Sequence, residues 1–447
     1  INFKEELSLF VENQNKILLY LDNECFPYEN IIIDSEVNSQ RIKTYRQLLE
    51  SKKNIIISTY SALTKKIIPL KNIKDNYRII NSNSNYNEII DILKLMKYER
   101  TDRIINKGEY VIKGSIIDIF SVIEDRPIRL SFDGDKPDFI KIFDIETQKT
   151  IQAINEFSLS SVNEILLDKD TIQKYKKSCI KVFDEEYVSD VEYEKISQGL
   201  MTTSIHNIIP LFYDKLSHLF DLLPKSINAI ISIKNIEDEI DLINERYTEY
   251  YSKYQEEKYL LEPKELIINT EDYLKYKKRF KNIILSFYKI EEDDSSLNLA
   301  IKKLPSLIVN NTYKDPYKSL IDYIKTTSTK IVFCIDRNSL RIELLQMLDR
   351  IKVNYIITED LSNVKKNKSR IILCRKSINE GFVDFSEKIS FISAKDIYGK
   401  RSLGSLTKKR NKLADNYIND ISSIEIDSPV VHDEYGVGRY KGLINMD

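Results

Sequence analysis

The stretch GEYVIKGSIIDIF (residues 108–120), followed by PIRLSFD (127–133), decides the fold of the region around it. In the second stretch apolar and polar residues alternate strictly, and DFIKIFD (138–144) is built in a similar way. Successive strand residues point to opposite faces of a sheet. The period of two therefore predicts a compact, mainly antiparallel β module with one buried and one solvated face.

The same alternation predicts which side chains face the core of this module. We expect the even-numbered apolar residues to point inward, and these are Tyr110, Ile112, Ile116, Phe120, Ile128, Leu130 and Phe132. Lys113 and Arg129 then lie on the solvated face, as the exposed basic residues of two neighbouring strands. Exposed charges contribute only about 0–1 kcal/mol to folding. We therefore expect truncation of Arg129 to leave stability almost unchanged.

The segments on both sides of this module alternate between helical and strand patterns. Short apolar strands are predicted at 16–21, 54–59, 228–233, 282–288 and 330–335. The overall prediction is a multidomain α/β chain. Its predicted divisions are a discontinuous domain at 1–74 and 152–303, an inserted β module at 75–151, a small α/β domain at 304–400, a linker at 401–427 and the start of a further β unit at 428–447.

Composition and motifs exclude several function classes. The 447 residues carry 68 Lys and Arg against 69 Asp and Glu, so the net charge of −1 gives no overall attraction to nucleic acid. The one Gly-Lys pair, at 399–400, lacks the upstream glycine and the following hydroxyl of a phosphate-binding P-loop. The three histidines and four cysteines show no metal-ligand spacing. We expect no catalytic, cofactor or metal site in these residues, no membrane span and a cytoplasmic monomer.

The segment VVHDEYGVGRYKGL (430–443) predicts a β-hairpin near the end of the given sequence. Two β-branched residues precede GVGRY, whose glycines permit a sharp backbone turn. We interpret it as the opening of a small β-barrel that continues beyond this sequence.

Three segments together resemble the N-terminal half of the bacterial transcription-repair coupling factors. YERTDRIINKGEYVIKGSIIDIFSV (98–122), continuing to 150, is similar to the module these proteins share with the repair protein UvrB, which binds UvrA. QGLMTTSIHNIIPLFYDKLSHLFDLLP (198–224) resembles part of their degenerate RecA-like domain. SPVVHDEYGVGRYKGL (428–443) resembles the start of their RNA-polymerase-interaction domain, a Tudor-like barrel.

This resemblance implies particular contact residues. In the family two basic residues occupy the UvrA-binding face, and Lys113 and Arg129 match them. Lysine replaces the more common arginine at 113 and offers a point charge without a planar fork. An aromatic residue often follows four positions after the second basic residue. Here Asp133 occupies that position and Phe132 precedes it, so both join the expected contact set. The resemblance also implies polymerase contacts at His432, Tyr435, Gly436, Gly438, Arg439 and Tyr440.

The implied function is a scaffold that brings UvrA to stalled RNA polymerase through the polymerase β subunit. The family's motor, which uses ATP and Mg²⁺ and moves on double-stranded DNA, would lie outside these residues. A UvrB-like DNA-binding module or a helicase-family module remains the alternative.

Overall fold

A computed structural model describes most of the chain, and the two strands after residue 428 are described by their backbone alone. The described residues are 2–11, 16–22, 26–30, 35–50, 54–183, 185–223, 229–256, 258–286, 288, 296–359, 361, 364–399, 429–432 and 436–439. The chain divides into two compact units, Asn13–Glu291, and Ile1–Glu12 together with Glu292–Asp447.

The helices are mostly short. In chain order they are α1 (Asn2–Leu7), α2 (Ser35–Glu50), α3 (Tyr60–Thr64), α4 (Leu70–Asp75), α5 (Tyr86–Leu95), α6 (Lys169–Phe183), α7 (Val191–Ser197), α8 (Leu219–Leu222), α9 (Ile236–Tyr254), α10 (Pro263–Leu266), α11 (Thr270–Lys277), α12 (Lys318–Thr326), α13 (Asn338–Arg350) and α14 (Ala394–Tyr398). Short 3₁₀ turns occur at Glu185–Ser189, Ile205–Asn207 and Ile209–Leu211.

The strands form several separate sheets. In chain order they are β1 (Ile17–Tyr20), β2 (Ile55–Ser58), β3 (Lys66–Ile67), β4 (Tyr77–Asn81), β5 (Glu99–Arg100), β6 (Glu109–Lys113), β7 (Ile116–Ile119), β8 (Ile128–Asp133), β9 (Lys136–Phe143), β10 (Thr150–Ile154), β11 (Glu156–Ser160), β12 (Ser217–His218), β13 (Ala229–Ser232), β14 (Lys281–Ile284), β15 (Ile301–Lys303), β16 (Lys330–Cys334), β17 (Ile356–Thr358), β18 (Ile371–Cys374), β19 (Phe382–Asp384), β20 (Ile389–Ser393), β21 (Pro429–His432) and β22 (Gly436–Arg439).

The predicted β module is a six-stranded sheet in the order β10-β9-β8-β7-β6-β5. Its strands pair antiparallel, except that β5 and β6 are parallel. Helix α5 covers one face, where Ile89 and Leu93 join a core with Ile117 and Leu130. The chain enters through β4 and leaves through β11, and these two strands pair antiparallel. The module thus starts and ends at neighbouring points.

One detail of the predicted alternation is wrong. Residues 110–120 form two strands rather than one, because a tight turn at Gly114-Ser115 pairs Lys113 with Ile116. Gly114 adopts a φ of 60°, a conformation that glycine tolerates best. The turn reverses the parity, so Ile117 and Ile119 face the core. Lys113 and Arg129 consequently lie on β6 and β8, with β7 between them.

The rest of the unit Asn13–Glu291 is α/β. Strand β1 runs parallel to β2, and β13 runs parallel to β14. Its core is rich in fully buried aromatic side chains, among them Tyr20, Tyr45, Tyr175, Phe220 and Tyr273.

The other unit contains a six-stranded mixed sheet in the order β15-β19-β20-β16-β18-β17. Its four parallel strands are β20, β16, β18 and β17. Alternate residues of β16 enter two different cores: Ile331 and Phe333 belong to one, Val332 and Cys334 to the other. Burial on both faces explains the unbroken apolar runs that predicted these strands.

The predicted domain limits differ in position from this division. The prediction placed residues 1–12 in the first domain, whereas they group with the unit that contains the mixed sheet. In that unit, Leu9 packs with Val332 and Phe391. The predicted linker at 401–427 lies outside the described residues. Strands β21 and β22 pair antiparallel, as the predicted hairpin requires.

Candidate protein-binding face

The side of the six-stranded sheet opposite α5, called here the outer face, contains both predicted basic residues. Its central row crosses four strands through Lys113, Ile116, Ser131 and Phe139, which are successive backbone partners. The neighbouring row contains Val111, Asp118, Arg129 and Lys141. Lys113 is exposed, whereas Arg129, Phe139 and Lys141 are partly buried.

Arg129 is held in a fixed position by Asp118 on the adjacent strand. Its Nε donates to Asp118 Oδ1 at 2.7 Å, and its Nη2 donates to Oδ2 at 2.8 Å. The Asp118 side chain is only 7% exposed, against 24% for Arg129. These hydrogen bonds raise the pKa of Arg129. The guanidinium is therefore charged and preorganised, and its Nη1 is the nitrogen outside this fork.

An aromatic ring and a turn complete the support of Arg129. Its guanidinium carbon lies 4.6 Å from the centre of the Phe143 ring, a cation–π arrangement. Its Nη1 donates a long hydrogen bond of 3.4 Å to the carbonyl of Gln148. Gln148 belongs to the turn after β9, and Asp144 stabilises this turn by accepting hydrogen bonds from the Thr147 amide and hydroxyl. These hydrogen bonds lower the pKa of Asp144.

The open half of the outer face combines apolar and cationic side chains. Ile116 and Phe139 are partly buried, and Lys141 Nζ lies 4.0 Å from the centre of the Phe139 ring. None of these three residues is among the contact residues predicted from the sequence. Phe139 and Lys141 lie on this face because the register shift between Ser131 and Phe132 offsets the two-residue turn at Gly134-Asp135, and alternation alone does not predict such a shift. Ile116 lies on the face opposite to the predicted one, because the Gly114-Ser115 turn reverses the alternation.

The other predicted contact residues are divided between the two faces and an edge. Phe132 is buried against Tyr86, with ring centres 4.9 Å apart, and so belongs to the core. We leave it out of the contact set. Asp133 is exposed and pairs with Lys136 across the turn between β8 and β9. The structure therefore brings Lys113 and Arg129 to one face and removes Phe132 from it.

A second polar site lies in the unit Asn13–Glu291, around a cavity of about 80 Å³. Lys65 Nζ lies 2.7 Å from Asp22 Oδ2, and Arg41 Nε lies 2.5 Å from Glu164 Oε1. Burial opposes ionisation of Asp22, but Lys65, Arg41 and a hydrogen bond from Ser61 together outweigh it and lower the pKa of this carboxyl. Burial lowers the pKa of His206, which also lines the cavity, to about 4. Lys65 and Arg41 are thus paired with carboxylates, whereas Lys66, which also lines the cavity, donates to the carbonyl of Lys264.

Metal and membrane sites can be assessed in the same described residues. No group of three or more His, Cys, Asp or Glu side chains in them could hold a metal ion. None of the helices described is both long and apolar enough to span a membrane.

Comparisons with known proteins match the chain in two regions and along its whole length. Residues 80–164, which include the six-stranded sheet, match the family model of the UvrB interaction domain. Residues 323–397 match the model described as MFD, D3 domain. The transcription-repair-coupling factor of Haemophilus influenzae is 25% identical over 96% of this chain. The chain is therefore similar to transcription-repair-coupling factors along nearly its whole length.

Other members of this family give the same result. The transcription-repair-coupling factor of Escherichia coli is 23% identical over 100% of the chain, and that of Bacillus subtilis is 20% identical over 99%. The chain spans 38–39% of the length of these three relatives. The resemblance inferred from the sequence motifs is confirmed.

The segment expected to contact polymerase in this family is described in part. His432 pairs with Gly436 and Gly438 pairs with Val430, while Arg439 lies opposite Pro429 at the end of the hairpin. Tyr435 and Tyr440 lie outside the described residues.

Proposed function

We propose that the outer face binds UvrA and that the chain thereby recruits UvrA to stalled RNA polymerase. One observation carries the proposal: within the region that matches a UvrB interaction domain, Asp118 holds the partly exposed Arg129 in a fixed orientation. A side chain ordered before binding loses less conformational entropy on association. Arg129 and the exposed Lys113 form the cationic part of this contact.

The chemistry of the face indicates the chemistry of the partner. Its two rows carry three cations, Lys113, Arg129 and Lys141, and one carboxylate, Asp118, which is already used by Arg129. An acidic patch on UvrA would complement this charge and accelerate association. Asp133, at the edge of the sheet, would lie beyond the centre of the contact.

The remaining parts of the proposal concern the longer proteins of this family. The α/β unit around β1 and β2 acts as a degenerate RecA-like domain without ATP, Mg²⁺ or catalysis. The β21–β22 hairpin begins a Tudor-like barrel that contacts the RNA polymerase β subunit. Movement along double-stranded DNA belongs to a motor beyond these residues. We place the protein in the cytoplasm, as a monomer.

The proposal is tested by titrating purified UvrA against the 447-residue chain and charge-reversal variants. Lys113→Glu changes an exposed residue that forms no ion pair with the described residues. It should weaken UvrA binding at least tenfold, with unchanged thermal unfolding. Lys94→Glu is the control, because Lys94 is exposed on α5 at the opposite side of the sheet and its only ion pair in the described residues is an exposed one with Asp91, which contributes little to stability. Equal affinity of wild type and Lys113→Glu would contradict the proposal.

A further inference from the structure

We infer that Phe139 and Ile116 form a notch over Ser131 that receives one apolar side chain of the partner. The inference rests on the proposed binding of UvrA. It adds contact residues to the two basic residues Lys113 and Arg129. Its occupant is a segment of UvrA with an apolar side chain next to a carboxylate.

The strand register forms the notch. Ser131 on β8 has Ile116 of β7 as its partner on one side and Phe139 of β9 on the other. Neighbouring strands lie about 4.7–4.9 Å apart, so the two flanking residues are separated by roughly 10 Å. Side chains of paired residues rise from the same face. A small residue between two large ones therefore leaves a depression wide enough for one side chain.

The burial of the two flanking residues indicates that the notch is open to solvent. Ile116 and Phe139 are partly buried, whereas Ile117, on the face covered by α5, is fully buried. The aromatic core at Phe143 covers only the far end of the outer face, where it packs with Val111 and Phe120. Partly exposed aromatic side chains in a pocket are the typical anchors of protein interfaces.

Cations on two sides of the notch specify what lies beside the apolar side chain. Lys113 continues the row next to Ile116, and Lys141 follows two residues after Phe139 on the same strand. Arg129 lies two residues before Ser131 on β8. A partner side chain in the notch would bring its neighbours within reach of these three groups. A carboxylate there would be neutralised, whereas a cation would be repelled.

A protein segment fits this surface better than nucleic acid does. A phosphate backbone needs a track of cations, whereas the three cations here flank two sides of a single depression with apolar walls. The depression lies over β8, between side chains of β7 and β9, and suits a branched or aromatic side chain.

The inference is tested by removing one wall of the notch and by filling its floor. Phe139→Ala and Ser131→Leu are each titrated with UvrA in the 447-residue chain, alongside Lys113→Glu and duplex and single-stranded oligonucleotides. Leu95→Ala is the matched control, because Leu95 is 41% exposed on α5. We expect Phe139→Ala and Ser131→Leu each to weaken UvrA binding at least tenfold without lowering the unfolding temperature. Leu95→Ala should bind as the wild type does.

The outcomes separate the notch from the proposed function. If Lys113→Glu impairs binding while Phe139→Ala and Ser131→Leu both bind normally, the notch is refuted and UvrA binding stands. If the wild-type chain does not bind UvrA, both are refuted. If an oligonucleotide binds the wild type and this binding is lost in Phe139→Ala, the surface contacts nucleic acid and the inference is overturned.

Discussion

Asp118 and Arg129 are joined across β7 and β8 by two hydrogen bonds of 2.7 and 2.8 Å. This pair changes what truncation of Arg129 should do. An arginine in solvent could be removed at almost no cost in stability, and alternation alone predicted such an arginine. The observed arginine neutralises a carboxylate that is only 7% exposed. The expectation of unchanged stability therefore rested on a wrong premise.

Arg129→Ala should destabilise the chain as well as weaken UvrA binding. Breaking a buried ion pair costs about 3–5 kcal/mol, and the partial exposure of Arg129 favours the lower end of that range. The double variant Arg129→Ala/Asp118→Ala should lose less stability than the sum of the single variants. Urea unfolding of the wild type and the three variants measures this coupling. Full stability of Arg129→Ala would show that the ion pair contributes nothing.

Because the parity of β7 is reversed, truncation of two branched aliphatic residues should lower the free energy of unfolding by different amounts. Leu130 is fully buried against Ile117, so Leu130→Ala should cost about 2–5 kcal/mol. Ile116→Ala, on the outer face, should cost less than about 1 kcal/mol. The same urea experiment compares them. A similar cost for both residues would place Ile116 in the core, as the sequence had predicted.

Much of this module could be predicted from its sequence, and the limits are physical. Alternation identifies β8 because Ile128, Leu130 and Phe132 lie on one buried face. Alternation cannot carry phase through a turn, since a two-residue turn of Gly114 and Ser115 reassigns every residue after it. The pairing of Arg129 with Asp118 depends on the register of β7 and β8, two strands that are separated in the sequence by residues 120–127. That register emerges only from the packing of the whole sheet.

A buried histidine makes the stability of the α/β unit depend on pH. His218 is 3% exposed; its Nε2 contacts the Leu63 carbonyl at 2.5 Å, and its Nδ1 accepts from the Phe220 amide. Burial lowers its pKa to about 4, from an ordinary value of 6.5. The unfolded chain therefore binds more protons between these values. Stability should be full above pH 6.5 and fall as the pH decreases toward 4.

The loss through His218 should be about 2–4 kcal/mol, from roughly 1.4 kcal/mol for each pKa unit. His218→Asn can still accept the Phe220 amide hydrogen bond at the helix start but does not titrate in this range. Unfolding free energies of both proteins from pH 7.5 to 4.5 isolate this contribution from that of His206. Parallel pH profiles would mean that His218 titrates normally in the folded chain.

The chain should not bind ATP with a measurable affinity. The segment between β1 and α2, residues 21–34, contains no glycine, so its sequence lacks the glycine-rich pattern of phosphate-binding loops. At the nearby cavity, Lys65 and Arg41 are paired with Asp22 and Glu164. Calorimetric titration with Mg·ATP to millimolar concentration should give no saturable heat. Saturable binding that Lys65→Ala weakens would instead identify a functional nucleotide site.

Replacement of Gly381, which precedes β19, should destabilise the mixed sheet for steric reasons. A Cβ atom at this position would collide with Asp396 Oδ2 and lie 2.5 Å from the Phe391 carbonyl oxygen. The Gly381 amide also donates to Asp396 Oδ2 at 2.9 Å, and the same oxygen accepts from Ser393 at the start of α14. In Gly381→Ala the added methyl group should push β20 and α14 away from residue 381. This should destabilise the sheet by about 1–3 kcal/mol.

The measurement for Gly381→Ala is hydrogen exchange, because it distinguishes local opening at β19 and β20 from opening elsewhere in the chain. Amides of β19 and β20 should exchange faster in this variant, by roughly 5- to 150-fold if the full 1–3 kcal/mol appears as easier opening. Amides of β6 to β9 and the affinity for UvrA should remain unchanged, since that module has its own core. Glu380→Ala, at the exposed neighbouring position, is the control and should exchange as the wild type does. Equal exchange in Gly381→Ala and Glu380→Ala would mean that β20 and α14 can accommodate a methyl group.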